Sequence, residues 1–247
     1  MIDNKKLVVV LPAYNAVKTL RQTYQEIPLD IVDEVILTDD KSEDATIELA
    51  RELGISKILT HKKNLGYGGN QKTCYLKALE ANADIIIMLH PDYQYTPVLI
   101  PAMAHMIASQ LYDIVIASRI IGNGALQGGM PLYKYIGNRM LTFFQNLLLG
   151  SKLTEFHTGY RAYTAESLRS LHFETFSDDF SFDNQLLAKA IYKKMRVGEV
   201  SCPTRYFEEA SSIGFSASIK YGLQVVKTSI QFWFARRKIY VADFLKD

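Results

Sequence analysis

Residues 7–15 read Leu7-Val8-Val9-Val10-Leu11-Pro12-Ala13-Tyr14-Asn15. Such an unbroken apolar run, rich in β-branched residues, predicts a strand covered on both faces, because a strand with one wet face would alternate. Pro12 lacks an N–H for the ladder and is expected to stop the run. Asn15 has a side chain suited to cap a helix that ends before Pro28. The same grammar repeats outward from there. Strands are expected at 34–38, 56–61, 85–89 and 112–117, with helices at about 43–53 and from the Gly66, Gly68, Gly69 cluster to about 83. Further on, 134–149 reads as an amphipathic helix, 161–164 as a short strand, 184–194 as a helix and 197–200 as a strand. Short apolar strands separated by helices predict one doubly wound α/β domain with a mostly parallel sheet flanked by helices.

Composition agrees with a packed globular domain and narrows the function. The chain has 247 residues, 48% hydrophobic and 22% charged, which excludes disorder for most of its length. Its 28 Lys+Arg and 26 Asp+Glu leave a net charge of +2, so no global field draws it to nucleic acid. Cys74 and Cys202 are far apart and form neither a disulfide framework nor a CxxC metal site, which points to a reducing compartment. No run reaches the ~18 apolar residues of a membrane span, and the N-terminus carries no signal-peptide h-region. A cytoplasmic protein, or one resting on the cytosolic face of a membrane, is expected.

Two glycine clusters fall short of nucleotide-binding fingerprints. Gly66-Tyr-Gly-Gly-Asn-Gln71-Lys72-Thr73 has Gln71 where a phosphate loop needs glycine, and the 122–129 segment fails at Gln127. The first cluster reads either as a helix-opening turn or as backbone N–H groups available to a phosphate. The carboxyl ends of the strands are more informative, since ligands bind there in such sheets. Pro12-Ala-Tyr14-Asn15, Asp39-Asp40-Lys-Ser42 and His90-Pro-Asp92-Tyr-Gln94 follow neighbouring strands. One aspartate after a strand is usually a helix cap; three polar clusters together point to a ligand. Tyr14 with Asp39 and Asp40 suits a base and ribose, and Asp92 with Gln94 offers oxygen donors to one hard cation.

These runs, VVVLPAYNA, TDDKSEDAT and HPDYQYTP, resemble the nucleotide-sugar half of a family 2 glycosyltransferase with the GT-A fold. The ASR at Ala117 to Arg119, EFHTGYRAY at Glu155 to Tyr163, and the FSFDNQ segment are similar to dolichyl-phosphate mannose and polyprenyl-phosphate glucose synthases. The resemblance runs in order over about residues 5–210. It implies a GT-A, Rossmann-like domain over 1–215, with a nucleotide-sugar half to about 115, an acceptor half over 116–215, and a helical extension at 216–247. It implies an inverting hexosyltransferase that uses a divalent cation (Mg or Mn), a UDP- or GDP-sugar donor and a polyprenyl phosphate acceptor. Pro12, Tyr14, Asn15, Asp39, Asp40, Ser42 and His90 would surround the donor. Asp92 matches the metal-binding acid of the family's DxD, with Gln94 auxiliary; Arg119, Lys134, Arg161 and Arg205 would serve the acceptor phosphate.

Three positions depart from the family pattern. His90 replaces the first DxD acid, Thr96-Pro97 replaces HPP, and Glu155 replaces an aspartate. A neutral imidazole can ligate Mn²⁺ or bond a ribose or phosphate, or be purely structural. Asp183 is the candidate base if the acceptor is a hydroxyl, or else a helix cap. Transfer to a glycan hydroxyl and a silent nucleotide-sugar binder therefore stand as alternatives. In the extension, Ile219, Leu223, Val226, Ile230 and Trp233 form a helical apolar stripe before Arg236-Arg237-Lys238. Such a stripe can pack on the domain, join a second copy in a homo-oligomer, or lie in a membrane interface.

Overall fold

The computed structural model describes residues 1–122, 124–206 and 214–246. The junction between domain and extension expected near 215, and the 207–210 end of the family-like run, lie partly outside the described residues. The strands are β1 (Leu7–Ala13), β2 (Glu34–Asp39), β3 (Lys57–Thr60), β4 (Ile85–Met88), β5 (Ile114–Ser118), β6 (Arg161–Thr164) and β7 (Val197–Ser201). The helices are α1 (Leu20–Gln25), α2 (Thr46–Glu52), α3 (Gly66–Glu80), α4 (Ile100–Ala108), α5 (Gly124–Gln127), α6 (Leu132–Leu149), α7 (Ala165–Leu171), α8 (Phe182–Tyr192) and α9 (Phe215–Arg236).

The strands form one sheet in the order β3-β2-β1-β4-β6-β5-β7. All neighbours are parallel except β6, which runs antiparallel to both β4 and β5. The reversal has a consequence for the site. The start of β6 lies at the same sheet edge as the ends of β1, β2, β4 and β5, so the 155–160 loop joins their carboxyl-end loops. In β1, Val8 and Val10 pack into one core layer while Leu7, Val9 and Leu11 pack into the other. That two-sided burial is why the run does not alternate.

Several local expectations are corrected. β1 runs through Pro12 to Ala13, because β4 pairs only as far as Val10 and Pro12 is bonded only on its β2 side. Asn15 does not cap α1; it sits at φ 50° and its Oδ1 accepts from Glu43 N at 2.8 Å, tying the loops after β1 and β2 together. α4 and α7, for which the sequence reading had no counterpart, cover the sheet. α4 is almost wholly apolar and lacks a polar face to reveal its period, although Pro101 marks its first turn.

The extension's stripe does not face the domain. Ile219, Leu223 and Ile230 are exposed and Val226 and Trp233 half-buried, whereas Val225, Ser229, Phe232 and Ala235 on the opposite side of α9 are buried. α9 packs along α6, with the Gly222 backbone facing Leu141 and the Gly150 backbone against Arg236.

Candidate active site

Polar loops at the carboxyl edge meet the inner sides of α6 and α9 around a cavity of about 270 Å³. Its walls include His90, Asp92 and Gln94 after β4, Arg119 after β5, Lys134 on α6 and Asp183 on α8. These six sequence candidates are thus brought together. Tyr67, Asn138, His157, Tyr206 and Tyr221 share the lining without having been singled out.

One wall is a hydrogen-bonded relay. Tyr67 donates to Asp183 Oδ2 at 2.6 Å and its hydroxyl lies 3.1 Å from His90 Nε2. The Tyr67 and His90 rings stack at 5.2 Å. Gln71 adds a bond of 3.3 Å to the same Asp183 oxygen, leaving Oδ1 buried without a hydrogen-bond partner among the described residues. Burial, reinforced by Asp183, pushes the Tyr67 phenol well up, so it stays protonated and donates. Burial lowers His90 against the pull of Asp92 and Asp183 and favours its neutral imidazole.

The glycines of α3 make this relay possible. A Cβ on Gly68 would lie 2.7 Å from Phe182 Cβ and collide with the Ser177 carbonyl. Gly68 N–H donates to Asp178 O at 2.7 Å, and Gly66 N–H to Asp40 Oδ2 at 2.9 Å. The cluster is therefore a helix-opening turn pressed against the 177–182 segment, with these N–H groups already engaged.

A second cluster in the lining carries Arg119 and Lys134. Buried Glu155 accepts from Arg119 N and Nε, both at 2.8 Å, from Arg119 Nη2, and from Asn138 Nδ2 at 2.7 Å. Burial would raise the Glu155 carboxyl, but Arg119 outweighs it and holds the group below its ordinary value. Thus oriented, Arg119 directs Nη1 to Tyr206 Oη at 3.1 Å. Lys134 lies nearby; burial and the Arg119 charge lower its pKa. Glu155 balances the Arg119 charge, so Lys134 leaves this cluster net positive, which favours an anion beside it. His157 borders this cluster, its Nδ1 2.8 Å from the Tyr221 hydroxyl of α9 and its Nε2 buried without a hydrogen-bond partner among the described residues.

The remaining candidates sit outside the cavity. Arg161 is fully buried; its guanidinium donates to the carbonyls of Thr158, Asp183 and Phe156 at 2.8, 2.7 and 3.0 Å, and its Nη1 lies 3.9 Å from Asp183 Oδ1. It braces the β6 loop and the start of α8 from behind. Arg205 is exposed and lies over the Tyr93 ring at 4.7 Å. Pro12, Tyr14, Asn15, Asp39, Asp40 and Ser42 gather at the adjoining ends of β1 and β2. Asp39 accepts from Ser42 N at 3.0 Å, and Ser42 Oγ accepts from Asn15 N at 2.8 Å. Asp40 is a brace: its carboxylate meets His61 Nδ1 at 2.7 Å and accepts from Leu65 N and Gly66 N at 2.8 and 2.9 Å. Exposed Tyr14 stands at the rim.

Residues 8–171 match the family model described as Glycosyl transferase family 2. The chain belongs to glycosyl transferase family 2. It is similar to the UDP-N-acetylglucosamine–dolichyl-phosphate N-acetylglucosaminyltransferase of Methanococcus voltae, 28% identical over 88% of this chain and 93% of that one. It also resembles the undecaprenyl-phosphate mannosyltransferase of Micrococcus luteus, 25% identical over 75% of this chain and 80% of that one. The fold matches a crystal structure of glucosyl-3-phosphoglycerate synthase from Mycobacterium tuberculosis with Mg²⁺ and UDP. Its TM-score is 0.72 at 20% identity, covering 97% of this chain and 82% of that one. The sheet order and helical layers are those of a GT-A glycosyltransferase.

The glycosyltransferase has a donor set that fits a divalent cation of limited protein ligation. Among the described residues no three His, Cys, Asp or Glu side chains cluster closely enough to hold an ion alone. Asp92 and Gln94 supply a carboxylate and an amide oxygen on one segment, with His90 beside them. Mg²⁺ is commonly held by one or two carboxylates together with substrate phosphates, and this open set is of that kind.

Proposed function

We propose that this family 2 transferase moves a hexose from a UDP- or GDP-sugar to a polyprenyl phosphate, with inversion, at the cytosolic face of a membrane. The observation that carries the reading is that Arg119 and Lys134 line the same cavity as Asp92 and Gln94. A lipid monophosphate is largely dianionic near neutrality, with a second pKa of ~6 as in phosphoserine. It needs cations to hold it and no base to activate it. Asp183 is already engaged by Tyr67 and Gln71, which suits a group that positions its neighbours.

In this account the donor base and ribose lie against Tyr14, Asp39 and the Ser42 turn, and the diphosphate reaches Asp92 and Gln94. A divalent cation held by Asp92 and Gln94 would neutralise charge on the departing diphosphate. Arg119 and Lys134 bind the acceptor phosphate and aim an oxygen at the anomeric carbon; the new bond forms on the face opposite the leaving group, which inverts the centre. Glu155 pre-orients Arg119, so little reorganisation accompanies the charge shift.

A second reading, transfer to a glycan hydroxyl, draws on Asp183 Oδ1, which is buried at the cavity, 3.9 Å from Arg161 Nη1 and without a hydrogen-bond partner among the described residues, as the acceptor of the hydroxyl proton. The two separate in Arg119→Ala and Lys134→Ala. For a phosphate acceptor, each variant should raise acceptor KM by about tenfold or more while donor affinity by calorimetry changes little, because a charged hydrogen bond is worth ~1.5–3 kcal/mol. Unchanged acceptor KM with collapsed donor affinity would instead place these cations at the diphosphate.

A further inference from the structure

Two helices of this fold turn an apolar stripe to solvent. On α6, Leu132, Ile136, Met140, Phe143 and Leu147 are 64%, 49%, 69%, 70% and 68% exposed. At 100° per residue these five positions fall within one narrow stripe. The fully buried positions are mainly polar, Asn138, Thr142 and Gln145 beside Leu149, with Leu141 and Leu148 partly buried. α9 also exposes an apolar stripe of Ile219, Leu223 and Ile230, in addition to the apolar Val225, Phe232 and Ala235 that it buries with Thr228 and Ser229 against the domain. An amphipathic surface helix normally buries its apolar stripe. Here two adjacent stripes point outward on one side of the molecule.

We propose that this paired face is a membrane-docking surface that seats the enzyme on an anionic bilayer with its acceptor cavity at the lipid boundary. Neither helix contains an Asp or Glu, while α9 carries Lys220, Lys227 and Arg236 and is followed by Arg237 and Lys238. Lys220 has a nearby carboxylate, Asp179 at 3.8 Å, and Arg237 lies over the Trp233 ring at 3.6 Å. Lys227, Arg236 and Lys238 are exposed. Apolar side chains with a basic flank match the acyl boundary and the anionic headgroups. A second copy is the poorer occupant, since a two-fold contact sets each patch against itself and so faces cations with cations.

The cavity supports the same orientation. Lys134, Gly137 and Leu141 of α6, with Ser218 and Tyr221 of α9, line it from the inner sides of these two helices. A phosphate on a lipid chain would therefore reach Lys134 and Arg119 while its hydrocarbon stayed along the outer stripes. The identity of what enters the cavity rests on the proposed function; the affinity of the face for a bilayer does not.

The test is flotation of the full chain with vesicles of phosphatidylcholine alone or with 30% phosphatidylglycerol. It uses wild type, Met140→Gln/Phe143→Gln and Lys227→Glu/Lys238→Glu. Neither pair lines the cavity, and thermal unfolding checks that each variant folds. The account expects wild type to float with the anionic vesicles, less in 0.5 M NaCl, and each double variant to float at least tenfold less. Turnover on a water-soluble short-chain prenyl phosphate, measured without vesicles, should be unchanged in the variants. Equal flotation of variants and wild type, or none by any, overturns the docking surface. So does light scattering that finds a wild-type dimer made monomeric by Met140→Gln/Phe143→Gln, without vesicle binding. Flotation as expected, with no use of prenyl phosphate by wild type, would sink the acceptor assignment and leave the docking surface standing.

Discussion

At the residue scale the site rests on two buried carboxylates with different partners. Glu155 is locked to Arg119, so Glu155→Gln leaves a buried guanidinium without its counter-charge and should cost ~3–5 kcal/mol in urea unfolding at pH 7. The sign with pH follows from its depressed folded pKa: the stabilisation is full above the unfolded value of ~4.3 and is lost as pH falls through the lower folded value. The variant should therefore lie closest to wild type in strong acid. Asp183 depends on Tyr67 instead. Tyr67→Phe deletes a hydrogen bond to a charged group, worth ~1.5–3 kcal/mol, and should lower kcat by roughly ten- to a hundredfold with donor affinity kept. An unchanged kcat would make the relay purely structural. Asp92, Gln94 and Arg119 were legible because they stand in ordered motifs after apolar strands. Tyr67 and His157 were not, since each is one polar residue in a run whose direction only the packing of α3 on α8, or of α9 on the β6 loop, decides. Arg161 shows the converse error: a sequence cannot tell a guanidinium aimed at a ligand from one spent on three carbonyls.

At the scale of elements, the tight α3–α8 approach places Tyr67 beside Asp183. Gly68→Ala forces a Cβ onto Ser177 O and Phe182, contacts made by backbone and core that cannot swing away. Overpacking of this kind typically costs ~1–3 kcal/mol, so the melting temperature should drop by several degrees and turnover should fall with it. A variant as stable and active as wild type would contradict the packing role. The strands were readable from composition because both faces of each are covered. The single reversed strand was not, because Arg161–Thr164 has the same apolar pattern in either direction and only the β5–β6–β4 pairing defines its sense. The α9 stripe was legible as a period, yet its direction was open, since periodicity records that a helix has an apolar face and says nothing of what that face meets.

At the scale of the whole molecule, acid should act in two windows. Burial lowers His157 to about 4, so a proton taken up by the unfolded chain near its ordinary ~6.5 is refused by the folded one. Its contribution is full above pH 6.5 and is lost between about 6.5 and 4, by about 3 kcal/mol at most; the Glu155 loss follows at lower pH. His157→Gln should flatten the stability profile in the upper window and leave the lower one, which urea midpoints from pH 7 to 3 would show. The central claim concerns the acceptor, and one comparison bears on it most directly: wild type, Mn²⁺ and a panel of UDP- and GDP-sugars, offered a short-chain prenyl phosphate or the matching prenol, with products resolved by mass and anomeric configuration by NMR. The account predicts a glycosylated prenyl phosphate of inverted configuration from at least one donor and no product from the prenol. Glycosylation of a hydroxyl acceptor, with the prenyl phosphate left untouched by every donor, would contradict it.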